Sequence, residues 1–275
     1  RVIPVSNEAE NIRPLYDTVK AAMAETDYAW ETVFTDDGST DGTYKALEEL
    51  YSDGGCINIV RLRRNFGQTA AMAAGLDHAR GEIIVTLDGD LQNDPRDIPL
   101  LISKLIEGYD LVSGWRIHRQ DGFVRCLFSR LANSIISWIT GVHLHDYGCT
   151  LKVIRRDLAK QLKLYGEMHR FIPALASNIG ANILEVPVRH HPRRFGKSKY
   201  GLSRTIRVIL DLMTVKFLSG YLTRPGHVFG SIGIISMSAG TIITGWLGVE
   251  RLLGLSGLSD RPILFLGILL IIVGT

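Results

Sequence analysis

Hydrophobic positions follow two periods along the first two thirds of the chain. Short runs rich in β-branched residues predict buried strands near residues 1–5, 32–34, 57–62, 83–87, 110–113 and 182–188. Helical spacing fills the gaps, at about residues 8–25, 43–51, 68–79 and 98–107. In the first of these, Ile12, Leu15, Val19 and Met23 recur at intervals of three and four. Strands alternating with helices of roughly ten residues or more predict a parallel sheet covered on both faces. Right-handed crossovers then carry the strand C-termini, and the loops that follow them, to one edge.

The last third reads differently. From Leu202 to Leu222 one side carries Ile206, Ile209, Leu210, Met213 and Phe217, while Arg207, Asp211 and Lys216 lie elsewhere. That pattern fits an interfacial helix or, equally, a helix packed on the preceding domain. Val228–Val249 is a run of 22 residues without a charge, about 33 Å as a helix and enough to cross a bilayer. Ser236 and Gly240 bring small residues into register for helix packing in lipid, which makes a homo-oligomer an expectation. A second apolar run of 13 residues, Ile263–Thr275, is cut by the end of the chain, and a second span is expected from it. The opening Arg1-Val2-Ile3-Pro4 lacks both Met and a signal peptide, so both ends read as trimmed.

Composition adds bounds. Apolar content of 46% with 21% charged residues fits a folded protein, and the net charge of +3 is mild. Cys56, Cys126 and Cys149 are odd in number and form no C-x-x-C pair, which favours a reducing compartment over a zinc site or disulfide framework. The charge is uneven: from Arg189 through Lys199 to Arg207 there is no acidic residue. Such a run could meet nucleic acid, but a nucleic-acid site would want aromatic platforms and a basic surface elsewhere too, so the run suits a lipid phosphate and anionic headgroups better, at roughly 1 kcal/mol per cation near such a surface. Cations crowd the domain side of the apolar run, which places the domain in the cytoplasm by the positive-inside rule.

The chemistry-bearing stretch is Thr86-Leu87-Asp88-Gly89-Asp90-Leu91-Gln92-Asn93-Asp94-Pro95. Two carboxylates one residue apart at a strand end can share a hard cation, with Gln92 adding a carbonyl oxygen. Pro95 is placed to open a helix capped by Asn93 or Asp94. The loop after the second strand, Asp36-Asp37-Gly38-Ser39-Thr40-Asp41-Gly42, offers a carboxylate pair for a ribose or base edge. Asp37, Ser39, Asp41 and Glu48 also match calcium-loop positions, but the strand-like Glu31–Phe34 stands where an EF-hand needs a helix. Neither a P-loop nor G-x-G-x-x-G is present.

Pro4-Val5-Ser6-Asn7-Glu8, Asp36-Asp37-Gly38-Ser39-Thr40-Asp41-Gly42-Thr43, Arg64-Asn65-Phe66-Gly67-Gln68 and Asp88-Gly89-Asp90-Leu91-Gln92 occur in this order. The set resembles the inverting family 2 glycosyltransferases of the GT-A fold, and within them the polyprenyl-phosphate glycosyltransferases. The resemblance implies an α/β, Rossmann-like GT-A domain plus C-terminal transmembrane helices. It implies that Pro4, Val5, Asn7, Glu8, Asp36, Asp37, Asn65, Gln68 and Asp88 hold a nucleotide sugar. Asp88, Asp90 and Gln92 are implied to hold Mg²⁺ or Mn²⁺, with Asp90 also counted as catalytic. Asp146 falls at the position of the proposed base, yet a phosphate monoester is mostly ionised at neutral pH. Orienting the acceptor, holding a sugar hydroxyl or pairing with an arginine are its other readings. Arg116, Arg130, Ser134, His169, Arg170, Arg194, Ser198 and Lys199 are candidates for the acceptor or leaving-group phosphates. The segment 113–122 is either a loop over the site or an ordinary solvated one.

The domains expected are 1–194, a basic linker and interfacial helix over 195–225, and a transmembrane hairpin over 226–275. The implied reaction moves a hexose, glucose first among the expectations, from a UDP-sugar to undecaprenyl phosphate at the cytoplasmic face of the inner membrane, by a multi-pass enzyme with no nucleic-acid partner. GDP-mannose and a UDP-aminoarabinose derivative are the alternative donors. A nucleotide-sugar sensor without turnover is the non-enzyme alternative. A processive polysaccharide synthase would carry Gln-x-x-Arg-Trp, and none of Trp30, Trp115, Trp138 or Trp246 follows an arginine.

Overall fold

The structure, a computed structural model, describes residues 1–117, 133–134, 136–138, 140–192, 211–215, 217, 225–254 and 261–275. Two compact units emerge, Arg1–Val215 and Lys216–Thr275. Residues 211–215 go with the first: Leu212 and Val215 are buried, and Asp211 accepts the Glu167 backbone N–H at 2.9 Å. Most of the expected linker lies outside the described residues.

The first unit is built on seven strands: β1 (Val2–Val5), β2 (Thr32–Asp36), β3 (Ile57–Arg61), β4 (Ile83–Thr86), β5 (Leu111–Arg116), β6 (Lys152–Arg155) and β7 (Ile183–Val188). Their order in the sheet is β3-β2-β1-β4-β6-β5-β7. Neighbours run parallel except at β6, which is antiparallel to both β4 and β5. The expectation of a wholly parallel sheet is therefore corrected at one strand. Four residues with Lys152 and Arg155 at the ends carry too little apolar pattern to announce a central strand. A second correction concerns β5, which continues through Trp115 and Arg116, so the expected loop begins later than residue 113.

The pleat sorts side chains to two faces. Ile3, Val5, Phe34, Val85, Val112 and Val153 pack with residues of α1 (Ala9–Ala24), α2 (Thr43–Ser52) and α4 (Ile98–Ile106). Val2, Val33, Ile84, Leu111 and Ile154 face α3 (Gln68–His78), α5 (Arg156–Gln161) and α6 (Ile172–Asn178). With both faces covered, the loops at the C-terminal ends of β1, β2, β3 and β4 are left open to a ligand.

The second unit is a pair of helices, α7 (Pro225–Leu252) and α8 (Pro262–Gly274). Among the described residues one stretch, Phe229–Leu252, is long and apolar enough to cross a membrane. The 13 residues of α8 fall short of that length, so the multi-pass expectation is not supported beyond one span. The helices touch at glycines: a Cβ on Gly240 would lie 2.5 Å from the Gly267 carbonyl oxygen, and one on Gly274 2.6 Å from that of Gly233. The small-residue face expected to serve self-association is thus occupied by α8. At the far end of the pair, Glu250 accepts from the Trp246 indole at 2.9 Å and from Arg261 at 2.5 Å.

Candidate active site

The loops after β1, β2 and β3 are laced into one surface. Asn7, with φ +56°, accepts the Thr40 backbone N–H at 2.8 Å, and its own N–H donates to the Ser39 hydroxyl at 3.0 Å. The Glu8 N–H donates to the Thr43 hydroxyl at 2.8 Å, and the Glu8 carboxylate accepts from the Asn11 side chain. Asp36 is buried at the end of β2, where one carboxylate oxygen accepts the Ser39 N–H at 3.0 Å and the other lies 3.8 Å from Arg61. Asp37 works on the next loop: its carboxylate accepts the N–H groups of Phe66 at 2.7 Å and Gly67 at 2.9 Å, and its carbonyl accepts Asn65 at 3.3 Å. Gly38 is required here. It has φ +61°, and a Cβ would meet the Arg64 backbone at 2.3 Å. Pro4 and Val5 are buried beneath this surface.

Asp41 settles the calcium-loop question. It accepts the Thr43 N–H at 2.9 Å and hydroxyl at 2.5 Å, fastening the start of α2 after a strand. Burial alone would raise its proton affinity, but the Thr43 and Ala9 donors outweigh that and hold the carboxyl below its ordinary value. This is a helix start rather than an EF-hand.

Asp88 and Asp90 follow β4, as the sequence predicts. Gln68, the first residue of α3, donates to Asp88 at 2.7 Å, which ties the third loop to the fourth. Burial first and the Asp90 charge second push the Asp88 carboxyl up to about 6, against the pull of Thr150, Arg116 and Lys152. Asp90, only 7% exposed, accepts the Gln92 N–H at 3.1 Å across Leu91. Leu91 has φ +61°, a left-handed conformation costing a non-glycine residue about 1–2 kcal/mol and a common signature of a functional turn. The turn is anchored behind. Asn93 donates to the Thr150 hydroxyl at 3.0 Å, and the Gln92 carbonyl accepts the His191 N–H at 2.8 Å. Asp94 caps the 3₁₀ turn Pro95–Asp97. Its burial is outweighed by Arg96, His191 and Arg189, which hold the carboxyl well below the usual range.

Opposite these lies a cluster around Arg116. Its guanidinium forks onto Asp146, Nε to Oδ2 at 2.6 Å and Nη2 to Oδ1 at 2.9 Å. Lys152 is buried beside them and donates to the Cys149 carbonyl; burial lowers its pKa, while Cys149, Asp146 and Asp88 push it back up. Neither Lys152 nor Glu185, which accepts the Asp146 N–H at 2.8 Å, was singled out from sequence. The only signal was an ionisable residue at a strand position. His169 is buried with its Nδ1 2.7 Å from the Thr69 hydroxyl of α3, and Arg170 lies beside it, 3.9 Å from Glu167. Ser134 is exposed on a helical stretch. Arg130, Arg194, Ser198 and Lys199 lie outside the described residues.

The donor set suits a hard divalent cation. Half-buried Asp88 stands beside buried Asp90, its carboxyl raised by desolvation first and the Asp90 charge second, and oxygen is the element such ions prefer. Among the described residues no further His, Cys, Asp or Glu joins them in a group of three or more. That leaves coordination positions for a diphosphate and water, the usual habit of Mg²⁺ and Mn²⁺.

The profile of the glycosyl transferase family 2 matches residues 2–163. The chain belongs to that family. This glycosyltransferase is 48% identical to a dodecaprenyl-phosphate galacturonate synthase of Rhizobium johnstonii, over 98% of this chain and 82% of the relative. It is 36% identical to an undecaprenyl-phosphate 4-deoxy-4-formamido-L-arabinose transferase of Aeromonas hydrophila, over 99% of this chain and 83% of the relative. Both come from the polyprenyl-phosphate group that the motifs resemble. A glucosyl-3-phosphoglycerate synthase of Mycobacterium tuberculosis, solved with Mg²⁺ and UDP, superposes with a TM-score of 0.59 at 19% identity, covering 79% of this chain and 77% of that one. This likeness shows the fold, which is GT-A.

Proposed function

We propose that this glycosyltransferase moves a sugar from a nucleotide diphosphate to a polyprenyl phosphate at the cytoplasmic face of a membrane. The phosphate oxygen of the acceptor attacks the anomeric carbon, the bond to the diphosphate breaks, and the centre inverts without an enzyme nucleophile. Carboxylates of the β1 and β2 loops, Glu8 and Asp36, are proposed for ribose and base. Asp88 and Asp90, with Gln92, would hold Mg²⁺ or Mn²⁺, which when bound neutralises the leaving diphosphate. Arg116, and with it Arg130, Arg194 and Lys199, is proposed for the phosphates. Apolar α7 supports a membrane-anchored enzyme.

One observation carries the reading: two relatives named for polyprenyl-phosphate sugar transfer align over nearly the whole chain, the apolar helices included. Their names also move the donor away from glucose. We take a UDP-hexuronate, UDP-galacturonate, as the first donor and the UDP-aminoarabinose derivative as the second. The test uses purified full chain in detergent with Mn²⁺ and undecaprenyl phosphate. UDP-galacturonate, UDP-formamidoarabinose, UDP-glucose and GDP-mannose are offered singly, and the lipid is weighed by mass spectrometry. A lipid-phosphate hexuronate is the expected product. Hexose transfer from UDP-glucose alone would return the donor to glucose, and binding of nucleotide with no glycolipid from any donor would overturn the acceptor.

A further inference from the structure

Asp146 is only 2% exposed, and its two oxygens face inward to Arg116. The same carboxylate accepts the Gly148 N–H at 3.1 Å and, more weakly, the Arg116 N–H at 3.4 Å. A general base must bring a lone pair within hydrogen-bond reach of the proton it takes. Here the bidentate fork takes one lone pair of each oxygen, a geometry that fixes the arginine in plane and direction, and the Gly148 and Arg116 N–H groups approach the remaining ones. Gly148 belongs to the arrangement, because a Cβ there would stand 3.0 Å from Nη2 of Arg116.

Behind Asp146 stands Glu185. It sits on β7 in register with Ser113 of β5, the strand that ends in Arg116. Its side chain is 9% exposed, and each oxygen is committed: Oε1 to the Asp146 N–H at 2.8 Å, Oε2 to the His145 N–H at 2.9 Å and ring Nδ1 at 2.8 Å. The His145 ring lies flat on Trp115, centroids 4.2 Å apart at 16°. Two strands and one loop thus converge on the direction of a single guanidinium, whose charge acts on Asp88.

We propose that Asp146 is a positioning residue that holds Arg116 toward the reacting phosphates, with Glu185 positioning Asp146 in turn, and that it takes no proton from the acceptor. The inference rests on the transfer reaction proposed above. The acceptor needs no base, since a phosphate monoester with its second pKa near 6 is largely a dianion at neutral pH. A guanidinium fixed beforehand, by contrast, stabilises developing charge without reorganising at the moment of transfer.

The test is a double-mutant cycle on full chain in detergent, with Mn²⁺, the active donor and undecaprenyl phosphate, reading kcat and acceptor KM separately. Acceptor binding is also measured without donor. Arg116→Ala and Asp146→Asn are each expected to weaken acceptor binding and lower kcat/KM by about 10–100-fold, and the pair together should be no worse than Arg116→Ala alone. Glu185→Gln should move the same two constants in the same direction by a smaller factor, with unfolding temperatures showing that each variant folds. An Asp146→Asn enzyme that binds acceptor as wild type does but loses about 10²–10⁴ in kcat, multiplying with Arg116→Ala, would be missing a base and would overturn the proposal. A wild type inert with every donor would instead bring down the transfer reaction itself, and this inference with it.

Discussion

At Asp88 the folded protein holds a proton more tightly than the unfolded chain does, about 6 against 3.8. The sign follows from linkage. Without metal, the group favours folding below pH 4, and that contribution is lost as the pH rises through 6. A cation bound at Asp88 and Asp90 removes the penalty, and below pH 6 it must first displace the proton. Affinity for Mn²⁺ should therefore climb by up to about tenfold per pH unit from pH 5 to 6 and level off above. Calorimetry across pH 5–8 checks this, and an affinity flat over that range would remove the metal from Asp88. Asp88→Asn and Asp90→Asn should each leave a folded protein and cost roughly a thousandfold in transfer, read as product per minute at saturating Mn²⁺. Both carboxylates were legible in the sequence because adjacent residues share one turn. Pairing with an arginine was one of the readings left open for Asp146, and the structure shows it; that the arginine is Arg116 and that Glu185 stands behind was not legible, because these residues lie 30 and 39 positions from Asp146 and nothing local links them.

Among elements, the strands with continuous β-branched runs and the helices with clear spacing stood out at once, and so did the loops that end β1, β2 and β4. β6 was missed because the apolar pair Val153-Ile154 is too short a pattern between two charges, and its place in the sheet depends on partners far away. The Arg64–Gln68 loop shows how one side chain shapes an element. Asp37→Ala would leave the Phe66 and Gly67 N–H groups without their acceptor, at a cost of about 1–3 kcal/mol. Chemical denaturation should show that loss together with weaker nucleotide binding, whereas unchanged nucleotide affinity would separate the loop from the donor. In the apolar pair, Gly240→Leu should force α7 and α8 apart, since even a methyl group there meets backbone. Its expected signature is a lower unfolding temperature in detergent with Mn²⁺–nucleotide binding unchanged.

For the whole molecule, charge and apolar surface are divided along the chain. The first unit, Arg1–Val215, holds every carboxylate proposed for donor and metal, and the second, Lys216–Thr275, contributes apolar helix surface. Removal of residues 216–275 should leave Mn²⁺–nucleotide binding intact and abolish transfer to undecaprenyl phosphate presented in vesicles. Equal vesicle activity with and without the helices would mean that they do not bring the enzyme to its lipid. Hydropathy marks the apolar run of the last third, whereas the seam at residue 215 depends on Leu212 and Val215 being buried, which no local pattern announces.

The insertion of β6 between β4 and β5 also gives the molecule an order of birth. Thr86 on β4 bonds the Thr150 carbonyl, 64 positions later in the chain. At 5–20 residues per second the ribosome needs about 3–13 s to deliver that partner. Until then β4 presents an open edge, the kind of surface on which nascent chains join one another. The donor side, made from β1 to β4, can close during that interval, while the half with Arg116, Asp146 and Lys152 waits for β6 and β7. A synthesis pause after residue 116 would thus expose an unfinished sheet, and faster translation of residues 117–155 would shorten the exposure.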